Sequence, residues 1–227
     1  MRPRICVPLM ERNVSRVIRS LRLLERYDPD FVEIRFDSMK SPSSLSEIRA
    51  ATERPLIATN RSKTQGGTFN GTEKTRLETL MQAAREGFDY VDVELKTKNI
   101  RMTVREVQRH GAEAIVSYHS EKRTPTEEAL ESILMNERRT GADICKIVGT
   151  ARNYADGLRC LRFVDKYARR TKLVCFSMGA LGIPSRILSP LLGGYFTFAS
   201  FRTGRETAAG QIPIGELQNL YRELGMV

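Results

Sequence analysis

The sequence predicts a (β/α)8 barrel, a single α/β domain over residues 1–227. Three observations carry that reading. Eight short apolar, β-rich runs recur with starts 23 to 35 residues apart. Helical stretches lie between them, and strands alternating with helices build βαβ units and a parallel sheet. The runs are mostly apolar throughout rather than alternating, as strands covered on both faces should be.

The strands are expected at 4–9, 31–36, 55–60, 90–95, 114–119, 143–148, 172–177 and 195–199. A helix at 13–26 puts Val14, Val17, Ile18, Leu21 and Leu24 on one stripe. A helix at 72–85 opens on a Thr cap, carries Leu77, Leu80 and Met81, and stops at Gly87. Thr124-Pro125-Thr126 opens another that ends near Gly141. Helices at 153–168 and 213–224 and a shorter one at 183–192 complete the set.

Composition narrows the class. With 41% hydrophobic and 28% charged residues, the chain is not disordered, collagenous or of low complexity. No apolar run approaches the ~18 residues that span a bilayer. The apolar stretch in MRPRICVPLMERN is only about six residues, too short for a secretory core, so a cytoplasmic protein without a membrane partner is expected. The net charge of +10 favours anionic partners. Nucleic acid would need a clustered patch, and the basic residues are spread along the chain. The densest group, Lys166, Arg169, Arg170 and Lys172, suits a helix C-terminus. Cys6, Cys145, Cys160 and Cys175 form no CxxC pair. Three of them sit in apolar runs, so they read as buried hydrophobes, and no metal site is expected.

In a barrel, function sits at the C-terminal ends of the strands. The polar residues there are Glu33, Arg35 and Asp37; Asn60 and Arg61; Asp92 and Glu94; Ser117, Tyr118 and His119; Lys146; Ser177 and Met178, with Ser185 and Arg186 beyond. Lys146 lies between Ile144 and Ile147, where a desolvated ammonium is disfavoured and a neutral amine can attack a carbonyl carbon. An ion pair with Glu33, Asp92 or Glu94 is the alternative. His119 ends the neighbouring strand and can serve as general base and acid. His110, before Gly111, suits a helix end. Gln65-Gly66-Gly67 follows strand 3, and GRETAAGQ at 204–211 has the composition of a mobile lid; neither matches a nucleotide-binding loop.

The ordered set of VEIRFD, TNRSKTQGG, IVSYH, ADICKIV, FSMG, Ser185-Arg186 and AAGQI resembles the type I 3-dehydroquinate dehydratases over essentially the whole chain. The resemblance implies a (β/α)8 barrel, a homodimer, and neither metal nor organic cofactor. It implies dehydration of a small anion, 3-dehydroquinate, to 3-dehydroshikimate in the shikimate pathway. Lys146 would form a Schiff base and His119 would move the protons. Arg186 would take the substrate carboxylate, Glu33, Arg35, Arg61 and Gln211 the ring hydroxyls, and Met178 the ring. Four departures stand out. Gln65 replaces a Glu that would hydrogen-bond the histidine, Thr207 replaces a lid Ser while keeping the hydroxyl, and Ala209 replaces a lid Pro; Ser120 also stands where an acidic residue is usual. Two rivals compete: another Schiff-base barrel of the class I aldolase type, and a basic barrel that binds nucleic acid or serves as a scaffold. The first normally takes phosphorylated substrates, and the second gives no reason for Lys146 beside His119.

Overall fold

The computed structural model describes residues 2–39, 42 and 44–226, and within them eight parallel strands alternate with eight helices. The strands are β1 (Ile5–Leu9), β2 (Phe31–Arg35), β3 (Leu56–Thr59), β4 (Tyr90–Glu94), β5 (Glu113–His119), β6 (Ile144–Thr150), β7 (Leu173–Met178) and β8 (Thr197–Phe198). The helices are α1 (Val14–Leu24), α2 (Leu45–Ala50), α3 (Glu73–Arg85), α4 (Ile100–Arg109), α5 (Glu127–Arg139), α6 (Tyr154–Tyr167), α7 (Ile183–Leu188) and α8 (Ile214–Glu223). No described helix is long and apolar enough to cross a membrane.

The hydrogen-bonded order runs β7-β6-β5-β4-β3-β2-β1-β8, a nearly closed barrel. Its seam lies between β7 and β8, where the Tyr195 N–H donates to the Leu173 carbonyl at 2.7 Å. β8 is shorter than expected because Gly193, at φ +96°, and Gly194, pressed against the Ser189 backbone, turn the chain just before it. The helix expected at 183–192 divides into α7 and a 3-10 turn at Ser189–Leu192, with Pro190 at the junction.

Helix starts obey local chemistry. Side chains of Asn13, Thr72, Thr126 and Asn153 each accept the backbone N–H three residues on, at 3.0–3.3 Å, a contact worth about 1 kcal/mol. Glycines Gly111 and Gly141, both at positive φ, end α4 and α5. The apolar residues then divide by face. Val17, Leu21 and Leu24 of α1 join Val7, Ile34, Ala58 and Val91 in the layer between strands and helices. Inside the barrel, Phe31, Ile57, Ile115, Ile144, Val174, Phe196 and Phe198 form an apolar floor. All four cysteines are free and buried.

One buried group contributes nothing to the site. Glu137 of α5 is fully buried, and neither carboxyl oxygen has a hydrogen-bond partner. Burial, reinforced by the charge on Asp92, holds its pKa well above the ordinary carboxylate value. The folded state therefore keeps a proton that the unfolded state releases above about pH 4.3, and stability falls as pH rises from there toward the folded pKa. One such proton gives a slope of about 1.4 kcal/mol per pH unit. Glu137→Met is expected to be more stable than the wild type at pH 7, with an advantage that shrinks toward pH 4. Chemical denaturation at both values reads it, and a pH-independent difference contradicts it.

Candidate active site

Inward-facing positions recur every second residue along a strand. On β2 the inward series climbs from Phe31 to Glu33 to Arg35, on β4 from Tyr90 to Asp92, on β5 from Ile115 to Ser117 to His119, and on β6 from Ile144 to Lys146 to Val148. The floor is thus apolar and the layers above it ionisable. Register sets Ser117 beside Lys146 and, one step higher, His119 beside Val148. The resulting cavity is bordered by Glu33, Arg35, Arg61, Gln65, His119, Lys146, Met178, Arg186, Thr207 and Gln211. Every expected site residue therefore faces one space.

At its base, Asp92 accepts from Lys146 Nζ (2.8 Å), Arg61 Nη2 (2.7 Å) and Ser117 Oγ (2.5 Å). Arg61 Nη1 also donates to Ser117 Oγ at 2.7 Å. Burial opposes the Asp92 charge, but Arg61 and Lys146 outweigh it and hold the carboxyl well below its ordinary range. Glu33 Oε1 lies 3.6 Å from Lys146 Nζ and accepts from Thr59 Oγ1 at 2.7 Å. Phe198 sets its ring centroid 4.5 Å from the same nitrogen. Lys146 is thus not a solitary ammonium in an apolar run; the carboxylates reach it from β2 and β4.

His119 caps β5. Burial, reinforced by the charges of Arg61 and Lys146, holds its pKa well below the ordinary histidine value, so the ring is neutral near pH 7. Its buried Nδ1 has no hydrogen-bond partner. The amide oxygen of Gln65 reaches this residue, yet it accepts the backbone N–H of His119 (3.0 Å) and does not hold the ring. Gln65 thus fixes the strand end that carries the imidazole.

The arginines differ in what they hold. Arg35 makes a two-pronged pair with Asp37, 2.8 Å at each contact, because the 3-10 turn Phe36–Ser38 swings Asp37 back onto its own strand end. Arg61 is held by Asp92 and Ser117. Among the described residues, Arg186, on α7, has no carboxylate within reach: its guanidinium stands 4.4 Å from the Phe176 ring centroid, Nη2 donates to the Ala209 carbonyl (3.3 Å), and Nε is unpartnered. Burial lowers its pKa to about 10, which still leaves it charged at neutral pH. A buried, charged fork without an anion is a strong recognition element for a carboxylate. Above it, Thr207 N–H donates to Gln211 Oε1 at 2.7 Å, so the two lid residues are tied to each other.

Asp92 and Ser117 were visible in the sequence as polar strand residues, but their joint role depends on pairing across three strands. Phe176, Phe198 and Glu121 also border the cavity. The two Phe residues read from the sequence only as core, and Glu121 as a loop residue.

Comparison with known proteins matches residues 5–227 to a family model described as type I 3-dehydroquinase. A 3-dehydroquinate dehydratase of Methanothermobacter thermautotrophicus is 37% identical, covering 99% of this chain and 98% of that one. One from Desulfotalea psychrophila is 33% identical, covering 96% of each. Among solved structures, 3-dehydroquinate dehydratase from Geobacillus kaustophilus superposes with a TM-score of 0.90 at 28% identity, covering 98% of this chain and 91% of that one. The type I enzyme of Clostridium difficile, solved with covalently modified comenic acid, gives 0.90 at 26% identity, covering 98% and 92%.

A carboxylate at position 65 would bring a negative charge to the strand end that carries His119. Gln65→Glu is expected to raise the His119 pKa, read by NMR titration of the ring against the wild type. The wild-type ring should stay neutral down to below the ordinary histidine pKa of about 6.5. A titration at or above that value, or no upward shift in the variant, contradicts the electrostatics described.

Proposed function

The chain belongs to the type I 3-dehydroquinase family, and we propose that it dehydrates 3-dehydroquinate through an imine on Lys146, with His119 moving the protons. It is a hydro-lyase, a 3-dehydroquinate dehydratase, and 3-dehydroshikimate is the product. The observation that carries the mechanism is a lysine amine at the base of a cavity whose rim holds a neutral histidine and a buried arginine without an anion.

Lys146 Nζ attacks the C3 ketone, two of the ammonium protons pass to the ketone oxygen, which leaves as water, and a protonated imine remains. His119, neutral and with an unprotonated ring nitrogen, takes a proton from C2, and the electron pair flows into the imine. The resulting enamine returns the pair as the C1 hydroxyl departs, protonated by the same histidine. Water then hydrolyses the imine and restores the amine. Asp92 and Glu33 stabilise positive charge on the lysine nitrogen during these steps.

Arg186 takes the substrate carboxylate through its two-donor fork. Glu33, Arg35, Arg61, Thr207 and Gln211 face the ring hydroxyls, and Met178 packs against the ring. Arg35 and Arg61 bring guanidiniums already fixed by Asp37 and Asp92, so they are preorganised for it. The covalently modified comenic acid on a relative agrees with an active site that binds small acids. The homodimer implied by the resemblance and a cytoplasmic setting belong to the same proposal; sedimentation velocity on the purified chain reads the first.

Following the absorbance of the enone product tests the roles. Lys146→Ala is expected to abolish turnover while the circular dichroism spectrum stays that of the wild type. His119→Ala is expected to slow it by roughly 10²–10⁴-fold, the usual contribution of general acid–base catalysis. Near-wild-type turnover in either variant removes the role assigned.

A further inference from the structure

The segment 202–211 follows β8 and brings Thr207, Ala208 and Gln211 to the cavity. The two halves of this segment are held differently. The second half sits on the barrel: Gly179 N–H donates to the Ala209 carbonyl (3.1 Å), and Gly210, at φ +80°, packs so closely on Gly179 that a Cβ would lie 2.5 Å from its carbonyl oxygen. The first half spans a groove bordered by Pro8, Leu9, Met10, Glu11 and Phe201. Among the described residues, the ion pair joining this first half to the barrel is Arg205 Nη2 to Glu11 Oε1, at 2.8 Å.

Glu11 follows β1 at the barrel mouth and is 6% exposed. Its Oε1 also accepts from Ser20 Oγ (2.8 Å) on α1, and its backbone carbonyl accepts from Ser38 Oγ (2.6 Å) after β2. Ser20 thus holds the carboxylate and Ser38 the backbone of this residue, besides the contact with Arg205. A buried carboxylate needs a charged or hydrogen-bonded partner, and the partner here comes from 194 residues away, on the segment that carries two substrate-facing side chains.

We propose that Glu11 and Arg205 are positioning residues that latch the 202–211 segment over the bound substrate, which holds Thr207 and Gln211 in reach of it. The inference rests on the dehydratase reading for its substrate, though not for the latch itself. Neither side chain touches the reacting atoms. Releasing the latch lowers the fraction of molecules whose mouth is ready to bind, and apparent affinity falls by that fraction while the saturated enzyme still turns over.

The experiment pairs Glu11→Gln and Arg205→Met with their double variant, Arg205→Lys, and the wild type. If one molecule in ten stays latched, KM for 3-dehydroquinate rises about tenfold in each single variant, with kcat within about twofold. The double variant should show no larger rise than either single one, because one contact is removed in each case. Arg205→Lys, which keeps a cation, should recover most of the affinity. Hydrogen exchange without substrate supplies an independent readout: the amides of 202–207 exchange faster in Glu11→Gln and Arg205→Met, while those of β7 do not change. Unchanged KM and unchanged exchange in Arg205→Met overturn the latch. Effects of the two single variants that add in the double one overturn it too. If the wild type does not turn over 3-dehydroquinate, the functional reading fails, and the exchange data still decide the latch.

Discussion

A carboxylate with no exposed surface meets three donors at the centre of this barrel, and the site is arranged around that meeting. Asp92 accepts from a lysine on β6, an arginine just past β3 and a serine on β5. None of these groups could be buried alone without a large desolvation cost. Together they satisfy each other, and removing any one leaves the others short of a partner. The constraint acts outward as well. With Asp92 fixing Lys146 Nζ, and Arg61 joining Asp92 to Ser117, three strands and the loop after β3 are locked in register at the height where the cavity begins.

Charges that are paired and charges that are not divide the work of the site. Arg35, Arg61 and Lys146 have carboxylate partners, so their positions are set before anything binds. Arg186 has an aromatic face and one backbone carbonyl instead. An incoming carboxylate supplies what Arg186 lacks, while the same positive surroundings keep His119 free of its proton. Burial and the charges of Arg61 and Lys146 thus produce a base from an imidazole without any anionic partner on its ring. That arrangement is consistent with the uncharged Gln65 beside it, since the amide oxygen here serves the backbone of His119.

Much of this was legible in the sequence, for identifiable reasons. Strands and most helices followed from periodicity and caps, both local properties: Asn13, Thr72, Thr126 and Asn153 announce the starts of α1, α3, α5 and α6, whereas α2 and α4 were given no range. The short β8 was harder, because its length depends on how Gly193 and Gly194 turn the chain at the barrel seam. Lys146 and His119 stood out as ionisable residues in otherwise apolar strands. Asp92 was visible too, but its tie to Lys146 spans 54 residues and exists only once the barrel closes. The pairing of Arg35 with Asp37 was hidden by sequence adjacency, since two residues apart on a regular strand they would point the same way without a fork; the turn after β2 makes the contact. The unpartnered state of Arg186 is a property of its surroundings, and no spacing rule reports it.

The central claim is that the amine of Lys146, fixed by Asp92, forms a covalent imine with the ketone of the substrate. Borohydride reduction of the protein in the presence of 3-dehydroquinate, followed by peptide mass spectrometry, tests it most directly. A reduced adduct on the peptide that carries Lys146, and on no other lysine, is the result the account predicts. Product formation without any trapped adduct would contradict it, because water would then be leaving by a route in which Lys146 is not the nucleophile.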